Sequence, residues 1–133
     1  VVDAIVALRQ ETIWKHVAFE PNRPHILTWL MHTLSTQPNH ALYVAVTETG
    51  VVGIAGGELV TEYFVPDVLV LHEWGWWVDR AHRGRGLAWR LWTALMDWAK
   101  ERGAQAAIYG KSIKVSDLTK AQAFEKRVWM PVI

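Results

Sequence analysis

A stripe recurs at helical spacing over residues 3–19, at Ile5, Leu8, Thr12/Ile13 and His16/Val17, with Asp3 placed to cap the first turn. Pro21 and Pro24 end that run. Residues 24–36 predict a second helix with Ile26, Leu27, Leu30, Met31 and Leu34 on one side. The period then changes. Residues 41–47 and 51–60 read as strands joined by Glu48-Thr49-Gly50, a hairpin turn with glycine where a positive φ is needed. Gly53, Gly56 and Gly57 mark the second of these strands as loose, or as a place of close backbone approach. Residues 68–78, rich in β-branched and aromatic side chains, predict a long third strand.

Polar residues 79–85 interrupt the chain before a strongly amphipathic helix over 86–102. Its inner stripe is Leu87, Leu91, Leu95 and Trp98, flanked by Ala88, Trp92 and Ala99, and Gly103 stops it. A short strand at 104–109, a loop at 110–116, a helix at 117–127 capped by Asp117 and a last strand at 128–133 complete the order ααβββαβαβ. That order predicts an α/β domain of the α+β type, with a mixed, mostly antiparallel sheet flanked by helices. No repeat or Gly/Ser linker divides the 133 residues, so one domain over 1–133 is expected.

Where the third strand hands over to the long helix, the chain reads Arg83-Gly84-Arg85-Gly86-Leu87-Ala88. Two glycines allow close backbone approach, and the helix start contributes free amides and the positive end of its dipole. Arg80, His82, Arg83 and Arg85 add charge, so the natural guest is an anionic phosphate. A P-loop is absent, and the dinucleotide fingerprint Gly-x-Gly-x-x-Gly fails at Trp89. What remains resembles the acyl-CoA motif of the GNAT (N-acetyltransferase) superfamily, Arg/Gln-x-x-Gly-x-Gly/Ala preceded five residues earlier by a strand-ending Val. Val78, Arg83, Gly86 and Ala88 fill those places in register, and the family's frequent Pro two residues after that Val is Arg80 here.

The resemblance implies the GNAT-like acyltransferase fold, with acetyl-CoA as cosubstrate and a primary amine of a small molecule or protein as acceptor, joined by direct transfer in a ternary complex. Trp77, Val78, Arg83, Gly84, Arg85, Gly86, Leu87 and Ala88 would then hold the cosubstrate, with Ser112 beside them. Backbone amides around Trp77 and Val78 would polarise the carbonyl. The family often carries a Glu or His six residues before the motif's Val, here His72. Its neutral imidazole suits a general base, and Glu73 is the second candidate, on the opposite face of a regular strand. A bulge common in that strand of the family would alter the facing. The usual acid, a Tyr in a Tyr-x-x-x-Gly-Phe pattern, corresponds to Phe124, with Val128 at the Gly; Tyr109 or Ser112 are the candidate substitutes. The family's first and seventh strands have no counterpart, so trimmed ends or strands supplied by a partner are expected, and a homodimer is compatible with the sequence. A non-catalytic CoA-binding or interaction module is the alternative that Phe124 and the end strands favour.

Composition sharpens this picture. The net charge of +1 hides two halves: residues 1–78 hold three basic and eight acidic side chains, a balance of −5, and residues 79–133 hold eleven and five, a balance of +6. A basic half for a polyanionic cosubstrate and an acidic half for a cationic amine fit that division. No cysteine is present, which excludes disulfide scaffolds and thiolate sites and accords with the cytoplasm. The six histidines show no paired metal spacing, no Gly-x-Ser-x-Gly exists, and no apolar run or leader indicates a membrane or secretion. The glycines and helix start explain the basic cluster better than nucleic acid does. Of nine tryptophans, Trp89, Trp92 and Trp98 are assigned to packing, and Trp14, Trp29, Trp74, Trp76 and Trp77 are candidates for an acceptor pocket. The identity of the acceptor is not encoded in these patterns.

Overall fold

The computed structural model describes residues 1–12, 20–110 and 127–131. Helices α1 (Val2–Glu11) and α2 (Arg23–Thr36) precede strands β1 (His40–Thr47), β2 (Gly50–Thr61) and β3 (Leu69–Val78). A single 3-10 turn at Arg80–His82 leads into α3 (Leu87–Glu101), then β4 (Ala106–Gly110) and β5 (Arg127–Pro131). The five strands form one sheet in the order β1-β2-β3-β4-β5. β1, β2 and β3 are an antiparallel meander, β4 joins β3 in parallel after the α3 crossover, and β5 returns antiparallel to β4. The expected mixed, mostly antiparallel α/β sheet is therefore observed.

Each face of the sheet has its own core. On one, Leu91, Trp92, Leu95, Trp98 and Ala99 of α3 pack on Ala55, Leu59, Leu71 and Val78. On the other, Ala4, Ile5 and Leu8 of α1 and Leu30 of α2 pack on Ile54. Full burial of a large apolar side chain such as Trp92 contributes about 1.5–3 kcal/mol, so α3 supplies much of the first core.

A bulge in β3 decides which residues meet which core. Gly57 pairs with Glu73 and Gly56 with Gly75, leaving Trp74 as the extra residue. Alternation therefore reverses at Trp74: Leu71 lies against the α3 core before it and Trp76 and Val78 after it, whereas Trp74 and Trp77 pack toward α1 and α2. Gly56 permits this, since a Cβ there would overlap the Trp74 indole.

Several expectations are corrected. The first helix starts at Val2, so Asp3 lies inside its first turn and pairs with Arg23 instead of capping. Its helical backbone ends at Glu11, and residues 13–19 lie outside the described residues. In α2 the cap is Asn22, whose side chain accepts from the His25 amide. Of the expected α2 stripe only Leu30 is buried, while Leu27, Met31 and Leu34 are exposed, because the sheet receives the face holding Leu30 and Thr33. Trp89 is 62% exposed, pointing away from the Leu91–Leu95 face, so it is not a packing residue. Arg127 belongs to β5 and not to a helix; the rest of the expected helix, 117–126, lies outside the described residues. Among the described residues, no helix is long and apolar enough to cross a membrane.

Candidate functional site

β3 pairs with β4 only through Val70↔Ala106, Leu71↔Ala107 and His72↔Ile108. Beyond that point the strands part, and among the described strands the ladder of Glu73–Val78 continues along β2. In an antiparallel pair, alternate backbone groups point away from the neighbouring strand, so this stretch of β3 turns backbone groups away from β2, and side chains answer two of its carbonyls, Arg9 at Trp74 and Arg83 at Val78.

At the end of that open edge lies a cavity of about 320 Å³, lined by Leu8, Glu11 and Thr12 of the α1 end, Trp76, Trp77 and Val78 of β3, Arg83, and Ala88 of α3. The turn that closes it requires its two glycines. Gly84 and Gly86 have φ of +80° and +76°, and a Cβ at either would meet no atom within 4 Å. Gly86 is the left-handed N-cap of α3 and no side chain caps the helix, so the first-turn amides, Leu87 and Ala88 among them, have no partner within the helix. Open space, free amides and a helix dipole fit a phosphate group. Arg80 and Arg85 are exposed around it.

Arg83 occupies its motif position but does not project freely. Its Nε donates to the Val78 carbonyl at 2.8 Å and its Nη2 donates to Glu11 Oε2 at 2.7 Å. Arg80 adds a second ion pair to Glu11 at 3.5 Å. The hydrogen bond from Arg83 holds the Glu11 carboxyl below the ordinary carboxylate range, against an opposing effect of burial. The neighbouring Trp77 indole and the charges of Arg83 and Arg80 act in the same direction as that bond, although the buried Trp77 N–H completes no hydrogen bond. Glu11 is the residue that sequence reasoning missed here. It entered only as one acid among eight, and no local pattern joins it to a partner 72 residues away.

Trp76 ties the site to α3: its indole N–H donates to the Ala88 carbonyl at 2.9 Å, and its ring stacks on Trp92 at 4.9 Å. Tyr109 stands just past the last β3–β4 pair, edge-on to Trp76 and Trp92 at 6.2 and 5.6 Å. His72 and Glu73 lie at the start of the opening. The bulge falls after both, so they keep opposite faces, His72 toward Glu58 and Glu73 on the face of Leu71. The structure thus brings Trp77, Val78, Arg83, Gly84, Gly86, Leu87 and Ala88 to one place, with Arg85 on the same turn, and sets His72, Glu73 and Tyr109 where the strands part. Ser112 and Phe124 lie outside the described residues. Of the five pocket candidates, Trp76 and Trp77 line the cavity, while Trp74 meets Trp29 edge-on at 5.3 Å on the α2 side and Trp14 lies outside the described residues. Among the described residues, no three His, Asp or Glu side chains are arranged so that they could hold a metal ion together.

The acetyltransferase (GNAT) family model matches residues 7–127. No curated protein gives a significant sequence match. Among solved structures, the chain is similar to glucosamine-6-phosphate N-acetyltransferase from Arabidopsis thaliana, with a TM-score of 0.65 at 18% identity over 92% of this chain and 78% of that one. It is also similar to a predicted acetyltransferase with acetyl-CoA from Clostridium acetobutylicum, with a TM-score of 0.63 at 15% identity over 90% and 80%. An aminoglycoside acetyltransferase from an uncultured soil metagenomic sample, in complex with sisomicin, gives 0.58 at 20% identity over 93% and 79%.

Proposed function

Because this chain belongs to the acetyltransferase (GNAT) family, we propose that it is an N-acetyltransferase that moves an acetyl group from acetyl-CoA to a primary amine in a ternary complex. The carrying observation is the turn from β3 to α3, where two positive-φ glycines and an uncapped helix start adjoin a cavity at the open edge of β3. Bound there, acetyl-CoA supplies an activated acetyl thioester.

The chain's own residues divide the remaining work. The amides of Gly84 through Ala88 and the Arg85 side chain hold the pyrophosphate, and Arg83 fixes the turn from the cavity wall. Amides around Trp77 and Val78 donate to the carbonyl oxygen as charge develops on it. His72 takes the amine proton, with Glu73 as the other candidate, and Tyr109 stands near enough to the opening to return a proton to the thiolate. A thiol with a pKa near 8.5 leaves tolerably even without that help.

For the acceptor, the reading is a small cationic amine. Glu58 of β2 and Glu73 of β3 place negative charge where the strands part, and the structural neighbours named above include enzymes for an amino sugar and for aminoglycosides. A CoA-binding module without turnover is the second reading, favoured by Phe124 at the family's Tyr position.

Calorimetry with CoA and thiol release against a panel of amines test both. Micromolar binding that is abolished in Gly86→Glu is expected, with turnover for at least one amine. Binding unchanged in that variant would overturn the site; binding with no turnover on any amine would favour the module.

A further inference from the structure

The meander of β1, β2 and β3 sets three titratable side chains in one row. His40 is directly opposite Glu58, and Glu58 is directly opposite His72, so the three stand side by side on the face covered by α1 and α2. The Glu58 carboxylate reaches both neighbours, with Oε2 3.2 Å from His40 Nε2 and Oε1 3.5 Å from His72 Nδ1. The two histidines differ in access. The His40 side chain is 7% exposed and sits under the edge of Trp29, while that of His72 is 50% exposed.

Resting on the reading of His72 as the base, we propose that Glu58 is a positioning residue that fixes the His72 tautomer, with His40 holding Glu58 in place. A carboxylate only accepts hydrogen bonds, and a neutral imidazole carries one N–H. The nitrogen beside Glu58 is Nδ1, so Nδ1 keeps the proton and Nε2 presents its lone pair to the acceptor side. At 3.5 Å the two atoms stand just beyond hydrogen-bond distance, and in this proposal they close into a bond when substrate excludes water. His40 obeys the same rule. With its Nε2 3.2 Å from Glu58, a proton placed there leaves the partnerless buried Nδ1 as a bare lone pair, cheaper to bury than an N–H.

Among the described residues, Glu58 is the charged group facing His72 that can set its tautomer. Across β3, Ile108 of β4 is apolar, Glu73 lies on the other face, and the nearest cation on α1, Arg9, donates to the Trp74 carbonyl at 2.8 Å. In the reaction, the amine nitrogen bonds to the acetyl carbon and gives its proton to His72 Nε2. The bond from that carbon to sulfur breaks, sulfur leaves with the electron pair, and His72 returns the proton to solvent.

The test is nitrogen-resolved NMR of the His72 ring in the ligand-free protein, paired with steady-state kinetics. Wild type should show the Nδ1–H form. Glu58→Met, which keeps length but neither donates nor accepts as a carboxylate does, should move His72 toward Nε2–H and lower kcat about 10–100-fold with KM for acetyl-CoA unchanged. Glu58→Asp should recover part of both. CoA affinity reports the folding of each variant, and His40→Gln, a milder change, should shift the tautomer partway if Glu58→Met fails to fold. An Nε2–H form in wild type, or a tautomer that ignores both variants, overturns the proposal. A tautomer that shifts while His72→Ala retains full turnover overturns the base assignment itself, and with it the catalytic part of the proposal.

Discussion

Arg83 closes the chain onto Val78, donating from Nε to that carbonyl oxygen at 2.8 Å. Five residues separate the two in the motif, and this bond supplies the physical reason for the spacing. It ends β3 and sets the start of the Gly84–Gly86 turn. The same guanidinium anchors the end of α1 through Glu11, so one side chain joins three walls of the cavity.

Arg83→Lys keeps the charge but loses the fork that serves both acceptors. The expected cost is about 1–2 kcal/mol of stability, because the lysine ammonium cannot make both of the guanidinium's bonds, to Glu11 and to the Val78 carbonyl, at once. CoA affinity should fall about tenfold, a 1.4 kcal/mol change, because the turn loosens. Denaturant unfolding and calorimetry check the two effects. Unchanged affinity would show that the amides hold their geometry without the bond.

The Glu11 carboxyl is held below its ordinary value of 4.5, chiefly by the Arg83 hydrogen bond. A carboxyl depressed in the folded state stabilises fully above its unfolded pKa, and that contribution is lost as pH falls through the folded value. Acidification from pH 7 into the acid range should therefore cost wild type more stability than Glu11→Gln, which has no carboxyl to protonate. Urea midpoints across that range measure it. Equal losses in the two proteins would mean that the α1 anchor is not electrostatic.

Much of this was legible in the chain. β3, the glycine turn and α3 lie within about two residues of their expected limits, because strand composition, paired glycines and a helical apolar stripe are local signals. The expected bulge occurs at Trp74, but no local pattern located it, since a bulge depends on how β2 and β3 pair. Long-range polar contacts were invisible for the same reason. Glu11 with Arg83, and Glu58 with His40 and His72, are pairings that only the assembled sheet creates. Glu58 left a faint trace as the one charged residue in β2. The exposure of Trp89 shows the limit of counting aromatics, since its helical phase puts it opposite the buried stripe.

Trp76 carries both a hydrogen bond to the Ala88 carbonyl and a stacked contact with Trp92. Trp76→Phe removes the donor and part of the overlap, leaving the Ala88 carbonyl with only its bond inside α3. About 1–2 kcal/mol of destabilisation is expected, or a Tm lower by about 3–8 °C. Since Trp76 and Ala88 both line the cavity, CoA affinity should weaken with it. A calorimetric Tm within a degree of wild type would show that the bond adds little.

The two base candidates are separable because they lie on opposite faces of β3. His72 faces Glu58 and the α1/α2 side, whereas Glu73 shares the face of Leu71 beneath α3. Only one face can present a proton acceptor to the incoming amine. With His72 as base, His72→Ala should lower kcat about 10²–10⁴-fold while CoA affinity stays at the wild-type value, and Glu73→Ala should do far less. Tyr109→Phe should lower kcat by a smaller factor, because the thiolate leaves without full protonation. The order of the three losses is the decisive quantity. A large loss in Glu73→Ala with little change in His72→Ala would move the acceptor to the α3 face, where Tyr109 already stands.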